Sequence, residues 1–311
     1  MIATVTLNPA VDKSVTVRGL EIDKTNRVEV DRIDAAGKGI NVAKALKRLG
    51  AEACALGFVA GSNGRFILDA LREERIPADF VTVAGETRVN LKIHDLERGT
   101  ETELNESGFR VTAENLEELR RKIKAYAARC EIMVFSGSLP PNAPPEIFAD
   151  LIRIAKARGV KCFLDTGGPG LSAGLAVGPF MIKPNRAEVE EILDISLRTR
   201  HDLGEAARSL IRMGCEQVLI SLGADGAVGV SGQDAFFARP PAIQVRSTVG
   251  AGDTMVAVMV YAAVTGLPFR QAFQMAVAAS AATVALEGTK LADLAAIQAL
   301  IPQVILENVD G

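Results

Sequence analysis

Short, wholly apolar runs alternate along the chain with longer stretches whose apolar positions recur at helical spacing. The runs at 2–7, 52–57, 79–83, 132–135, 160–164, 180–182 and 217–220 read as buried strands. Between them, 37–49, 63–75, 113–128, 145–158 and 202–213 read as helices. This βα alternation predicts an α/β fold with a mostly parallel sheet flanked by helices, in one domain over residues 1–311. Two segments break the rhythm. Residues 13–33 and 86–105 alternate apolar with polar positions in strand fashion, where a βα unit needs only a short loop. They are expected to form an inserted β-sheet lid over the strand ends. Strands at 227–230 and 234–238 precede two uncharged stretches, 254–269 and 271–286. Each of the two is shorter than the ~18–20 residues a membrane span needs, so both are read as buried, alanine-rich helices.

Composition narrows the class. With 35 Lys and Arg against 38 Asp and Glu, the chain has no basic excess, and a nucleic-acid partner is not expected. Cys54, Cys130, Cys162 and Cys215 are scattered without a C-x-x-C pair, which fits a reducing cytoplasm and offers no metal or disulfide framework. Only His94 and His201 are present, so a histidine-rich metal site is excluded. Met1 runs straight into an apolar strand with no basic leader, and neither a signal peptide nor a membrane attachment is expected.

Candidate chemistry gathers at the predicted strand ends. In Ser247-Thr248-Val249-Gly250-Ala251-Gly252-Asp253, two glycines bracket a small residue at the start of a helix, a ready cradle for an anion. Asp253 either caps that helix or takes a proton from an attacking hydroxyl, since a carboxylate beside a bound phosphate otherwise only repels it. Gly37-Lys38-Gly39-Ile40-Asn41 resembles a P-loop superficially, but the upstream glycine and the Ser or Thr after the lysine are missing. Here Gly37 and Gly39 permit close approach, Lys38 brings a charge, and Asn41 can donate and accept toward a polyol. Asp12 lies just past the first strand, as a turn residue or a contact for substrate hydroxyls. Arg27 and Arg88 fall in the two lid segments, either solvated or clamping a phosphate. Asn185 and Glu188 have capping-box spacing and could also order the water shell of Mg²⁺. Gly168-Pro169-Gly170-Leu171-Ser172-Ala173 fits a dinucleotide pattern formally, but its proline and its late position argue against NAD.

Taken in order, Gly37 to Asn41, Ser136-Gly137-Ser138-Leu139-Pro140, Lys183-Pro184-Asn185 with Glu188, Ser221-Leu222-Gly223-Ala224-Asp225-Gly226 and Ser247 to Asp253 resemble the signatures of the ribokinase-like superfamily, the PfkB carbohydrate kinases. The resemblance spans the chain. It implies a doubly wound sheet, a β lid that often forms a dimer contact, ATP with Mg²⁺, and a phosphorylated ketose as acceptor. By that resemblance Asp253 matches the general base, and Gly250, Ala251 and Gly252 the anion hole. Ser221, Gly223 and Gly226 match the nucleotide site with Lys183 at its phosphates, and Asn185 with Glu188 the magnesium-ordering pair. Asp12, Gly37, Lys38, Gly39, Asn41, Arg88 and Ser136 match the sugar-phosphate site, and Arg27 does so more weakly.

The start of the chain, Thr87-Arg88-Val89-Asn90 and Ser107-Gly108-Phe109 look most like bacterial members that phosphorylate fructose 1-phosphate at its C6 hydroxyl. Kinases of tagatose 6-phosphate or fructose 6-phosphate are near alternatives, and a non-catalytic sugar-phosphate sensor is the alternative of another class. One departure matters: Ala35-Ala36-Gly37-Lys38 stands where many relatives carry consecutive glycines, and Lys38 there favours an anionic acceptor over a free sugar.

Overall fold

The computed structural model describes residues 1–309. The chain opens with β1 (Ile2–Thr6), then forms a hairpin, β2 (Ala10–Val17) and β3 (Glu29–Ala36), before α1 (Lys38–Arg48). Next come β4 (Ala53–Ala60), α2 (Gly61–Glu73), β5 (Ala78–Val83) and a second hairpin, β6 (Arg88–Asp95) with β7 (Thr100–Asn105). The middle of the chain runs α3 (Ala113–Ala127), β8 (Ile132–Ser136), α4 (Ile147–Lys156), β9 (Lys161–Asp165), α5 (Gly168–Leu175), β10 (Met181–Ile182) and α6 (Arg186–Leu193). It closes with α7 (Arg200–Arg212), β11 (Gln217–Ser221), β12 (Ala227–Ser231), β13 (Asp234–Arg239), α8 (Ala251–Thr265), α9 (Phe269–Val284), α10 (Leu294–Leu300) and β14 (Ile305–Asn308).

Ten strands form the main sheet in the order β14-β13-β12-β11-β10-β9-β8-β1-β4-β5. Pairing is parallel from β5 across to β11 and antiparallel from β11 to β14. Strands β1 and β4 are buried along their whole length because helices cover both faces, which is why they read as unbroken apolar runs. Helices α3 to α7 pack one face around Leu119, Phe148, Leu171 and Leu210. The other face holds α1, α2 and α8 to α10 around Ile40, Ile67, Val256 and Phe273. Order reverses between β1, β4 and β8, so the crevice where ligands enter such sheets opens at the C-terminal ends of these strands. Among the described residues, no helix is long and apolar enough to cross a membrane.

Three elements escape the sequence pattern. Helix α5 begins inside the glycine-rich string at 168–173, with Pro169 in its first turn where the missing N–H breaks no helical bond. That string is therefore helix rather than a dinucleotide-binding turn. Helix α10 and strand β14 are short, and β14 is held by pairing with β13. The two alanine-rich stretches do form buried helices, separated by Gly266, Leu267 and Pro268.

Both inserted segments meet in a second sheet, β3-β2-β6-β7. Its central pair is parallel, with Ala10 opposite Arg88 and Asp12 opposite Asn90. The period of two then puts Asp12, Ser14, Arg88, Asn90 and Lys92 on one face, and Val15, Val17, Leu91 and Ile93 on the other. On the polar face Lys92 Nζ donates to Asp12 Oδ2 at 2.8 Å, and both side chains are buried. A buried pair costs most when only one partner is removed. Lys92→Met should therefore destabilise the protein by ~3–5 kcal/mol in urea unfolding. The double variant with Asp12→Leu should recover most of that loss, and equal losses in the two would show that the charge is not what matters.

Candidate active site

Helix α8 starts at the crevice with its N-terminus open. Gly250 occupies the N-cap with φ 76°, a left-handed conformation that suits glycine, and no side chain caps the helix. The first N–H satisfied within the helix is that of Thr254, which donates to Gly250 O. The preceding backbone donators point out of the helix end, as an anion cradle requires. Asp253 is not a cap. It lies in the first turn, 6% exposed, and its Oδ2 accepts from Asn41 Nδ2 at 2.7 Å.

Asn41 reaches Asp253 because the chain turns sharply between β3 and α1. Gly37 there has φ 132°, and a side chain on it would strike Thr6 and Pro9 at the junction of β1 and β2. Helix α1 follows directly, carrying Lys38 and Asn41 one turn apart on the same side. Gly39 packs so closely on Thr6 that an added Cβ would lie 2.5 Å from its Oγ1. These glycines let α1 press against β1 and bring Lys38 to the strand ends.

The centre of the site is a residue the sequence patterns left without a role. Asp165 ends β9, is 2% exposed, and its Oδ1 accepts from Lys38 Nζ at 3.2 Å and from Lys183 Nζ at 3.3 Å. Burial pushes the Asp165 carboxyl up, and Lys183 and Lys38 more than offset that, so it stays below the usual range. Asp253 goes the other way. Burial and then repulsion from Asp165 raise it to about 6, against the pull of Lys38, the Asn41 hydrogen bond and Lys183. Two carboxylates in one pocket are thus pushed apart, one permanently ionised and one poised to exchange a proton near neutral pH. The available signal for Asp165 was its place as the lone acid at the C-terminal end of a buried strand.

Lys183 joins the two halves of the site. Its Nζ stands 3.2 Å from where a Cβ of Gly252 would be, and Lys183-Pro184-Asn185 runs beside β11, with Ser221 N donating to Pro184 O. After Ser221 the chain makes a tight turn at Gly223–Asp225, closed by Leu222 N on Gly226 O. Asn185 and Glu188 form a full capping box on α6: each side chain accepts from the other's backbone N–H, at 2.9 and 2.8 Å. The structure therefore accounts for both as caps, with further oxygen capacity remaining on each.

Toward the lid, Ser136 ends β8 with its buried Oγ unpartnered. Arg88 Nη2 reaches Ser138 Oγ at 3.4 Å, while Arg88 Nε, Asn90 Oδ1 and Asp165 Oδ2 are buried without partners. Buried polar groups are normally paired, so this concentration at one crevice marks a ligand's place. Asp12 is already engaged by Lys92 and by Asn90 Nδ2 at 2.9 Å. Arg27 is not brought to this cluster. It is exposed in the β2–β3 connection beyond Glu29, which pairs with Thr16, whereas Arg88 pairs with Ala10. Six residues of strand separate those positions, about 20 Å at strand rise, so Arg27 and Arg88 of one chain do not clamp one phosphate. A cavity of about 420 Å³ adjoins Lys38, bounded by Gly137, Ser138, Thr166 and Gly167.

Residues 5–295 match the pfkB family of carbohydrate kinases. The chain belongs to this family. It is similar to the 1-phosphofructokinase of Rhodobacter capsulatus, 38% identical over 280 residues that cover 90% of this chain and 89% of the relative. It is likewise similar to the 1-phosphofructokinase of Escherichia coli K12, 34% identical over 98% of both chains. The solved structure of phosphofructokinase-2 from Escherichia coli in complex with substrates and products superposes with a TM-score of 0.92 at 30% identity, over 97% of this chain and 98% of that one. As a member of the pfkB family the chain is a sugar-phosphate kinase, and the family's chemistry implies ATP as donor.

The Asn41 hydrogen bond lowers the Asp253 carboxyl. Asn41→Ala should therefore raise the Asp253 titration midpoint above about 6, followed by carbon NMR of the labelled carboxyl. A midpoint that moves down would contradict this account of the site.

Proposed function

We propose that the protein transfers the γ-phosphoryl group of ATP to the C6 hydroxyl of fructose 1-phosphate, giving fructose 1,6-bisphosphate and ADP. The observation that carries this reading is Asp253, a buried carboxyl raised to about 6 at the lip of an uncapped helix N-terminus and beside two lysines. A phosphate-binding site alone has no use for that carboxylate, and this weighs against a non-catalytic sensor. Lys38, Arg88 and Ser136 would hold the 1-phosphate and neighbouring hydroxyls, with Asp12, Gly37, Gly39 and Asn41 shaping the sugar pocket. Arg88 is suited to this because its guanidinium is partly freed of partners at the crevice.

In this mechanism Asp253 accepts the proton as the C6 oxygen bonds to phosphorus and the bond to the ADP oxygen breaks. Charge on the passing group meets the backbone N–H groups of Gly250, Ala251 and Gly252. Lys183 would steady the nucleotide phosphates, and Ser221, Gly223 and Gly226 the remainder of the nucleotide. Among the described residues no group of three His, Cys, Asp or Glu is arranged to hold a metal. The oxygens of Asn185 and Glu188 fit a Mg²⁺ that keeps most of its waters and arrives with the nucleotide. When bound, that ion would neutralise phosphate charge.

The exposed Val30, Ile33 and Leu104 lie on or beside the lid, opposite the polar face, and support a homodimer joined through it. A cytoplasmic location is part of the same reading, with four free cysteines suited to a reducing compartment.

Steady-state assays with MgATP and a panel of ketose monophosphates test the acceptor. Fructose 1-phosphate should have the highest kcat/KM, and a preference for tagatose 6-phosphate or fructose 6-phosphate would reassign the substrate. Asp253→Asn should cut kcat by ~10²–10⁴ while ADP still binds. Because the base must be ionised, kcat/KM of the wild type should fall as pH drops through about 6. A flat profile there would remove Asp253 from the role. Val30→Asp should turn a dimer into a monomer in analytical ultracentrifugation, and a wild-type monomer would refute the lid contact.

A further inference from the structure

Asn8 stands two residues past β1, at the point where the chain leaves the main sheet for the lid, and it is buried. Its Nδ2 reaches three acceptors on two other segments: Ser107 O at 3.1 Å, Leu139 O at 3.2 Å and Ser138 Oγ at 3.4 Å. The two carbonyls can only accept, so the amide nitrogen must face them and the orientation of the group is fixed. Its Oδ1 is left buried without a partner, against Gly108, where an added Cβ would lie 2.3 Å from it. An unpaired buried amide oxygen is unfavourable, and an apolar side chain could fill the same space without it. The donor end of Asn8 is therefore what the position requires.

Arg88 closes a ring on the same segments. Its Nη1 donates to Glu106 O at 3.2 Å and its Nη2 to Ser138 Oγ at 3.4 Å. Asn8 and Arg88 thus hold successive carbonyls of the chain leaving β7 and share one hydroxyl. Because Ser138 Oγ accepts from both, its own proton is left to donate, and Ser138 lines the cavity beside Lys38. Arg88 keeps its buried Nε without a partner. A guanidinium already held at two points loses less freedom on meeting an anion than one that must first be ordered.

We propose that Asn8 is a positioning residue: it ties Ser107 to the Ser138-Leu139 turn and so presets Arg88 for the phosphate of the acceptor sugar. The inference rests on the reading of Arg88 as a phosphate contact. It asks nothing of turnover, because it is measured by binding without ATP, whereas failure of the kinase reading shows separately as absence of ADP release in the acceptor assays.

Calorimetric titration with fructose 1-phosphate provides the test. Asn8→Ala should weaken its binding about tenfold and leave ADP binding unchanged, which general damage to the fold would not. In an Arg88→Ala background the same substitution should cost less than about twofold, since no guanidinium is left to preset. An equal loss in both backgrounds, or no loss in either, would overturn the proposal. A wild-type affinity that Arg88→Ala leaves unchanged would refute the phosphate role of Arg88 and overturn the inference with it. A second measurement needs no variant at Asn8: fructose 1-phosphate should shift the side-chain amide resonance of Asn8 in the wild-type protein, and should not do so in Arg88→Ala. A shift of the same size in both, or in neither, would also overturn it.

Discussion

Asp165 holds the crevice together. Three elements end there, β9, the start of α1 and the segment after β10, and each brings a charge to one point. Asp165 and Lys183 are buried, and leaving either unpaired would cost several kcal/mol, whereas Lys38 keeps much of its side chain in solvent. Asp165 also fixes the field around Asp253. Burial raises the Asp253 carboxyl first, and the Asp165 charge raises it further against the pull of the two lysines, so that it sits at about 6. After burial itself, the proton affinity of the proposed base is thus raised most by a residue that has no part in the proposed chemistry.

The lid is the second dependency. Its strands are inserted where a short loop would suffice, and their register turns a polar row toward the body of the protein. Arg32 extends the connection, with one guanidinium nitrogen on Glu287 O and another on Thr289 Oγ1. Glu287 in turn pairs with Arg246, just before the turn that begins α8. Lid and helix start are thereby tied through a single surface loop.

Much of this was legible in the sequence because buried parallel strands leave unbroken apolar runs, and because the glycine-rich turns at 37–39 and 250–252 have few other uses. The lid was legible from strand-like alternation in the wrong place. What escaped depends on tertiary pairing. Strand β14 has only four residues and gains its identity from β13. Helix α5 is built on glycine and proline, which local propensity disfavours, and is retained by packing of Leu171 and Leu175. Asp165 could be located at a strand end but not paired, since Lys38 lies 127 residues away along the chain and Lys183 meets it only through the pairing of β9 with β10. The direction of Arg27 was likewise invisible, because register between β2, β3 and β6 decides it.

Only Gly37 separates the last lid residue of β3, Ala36, from Lys38 at the head of α1. One joint consequently links the lid to the lysine that balances Asp165 and, one turn on, to the asparagine that steadies Asp253. The covalent chain itself thus sets the edge of the cover one residue from the groups that govern the acidity beneath it.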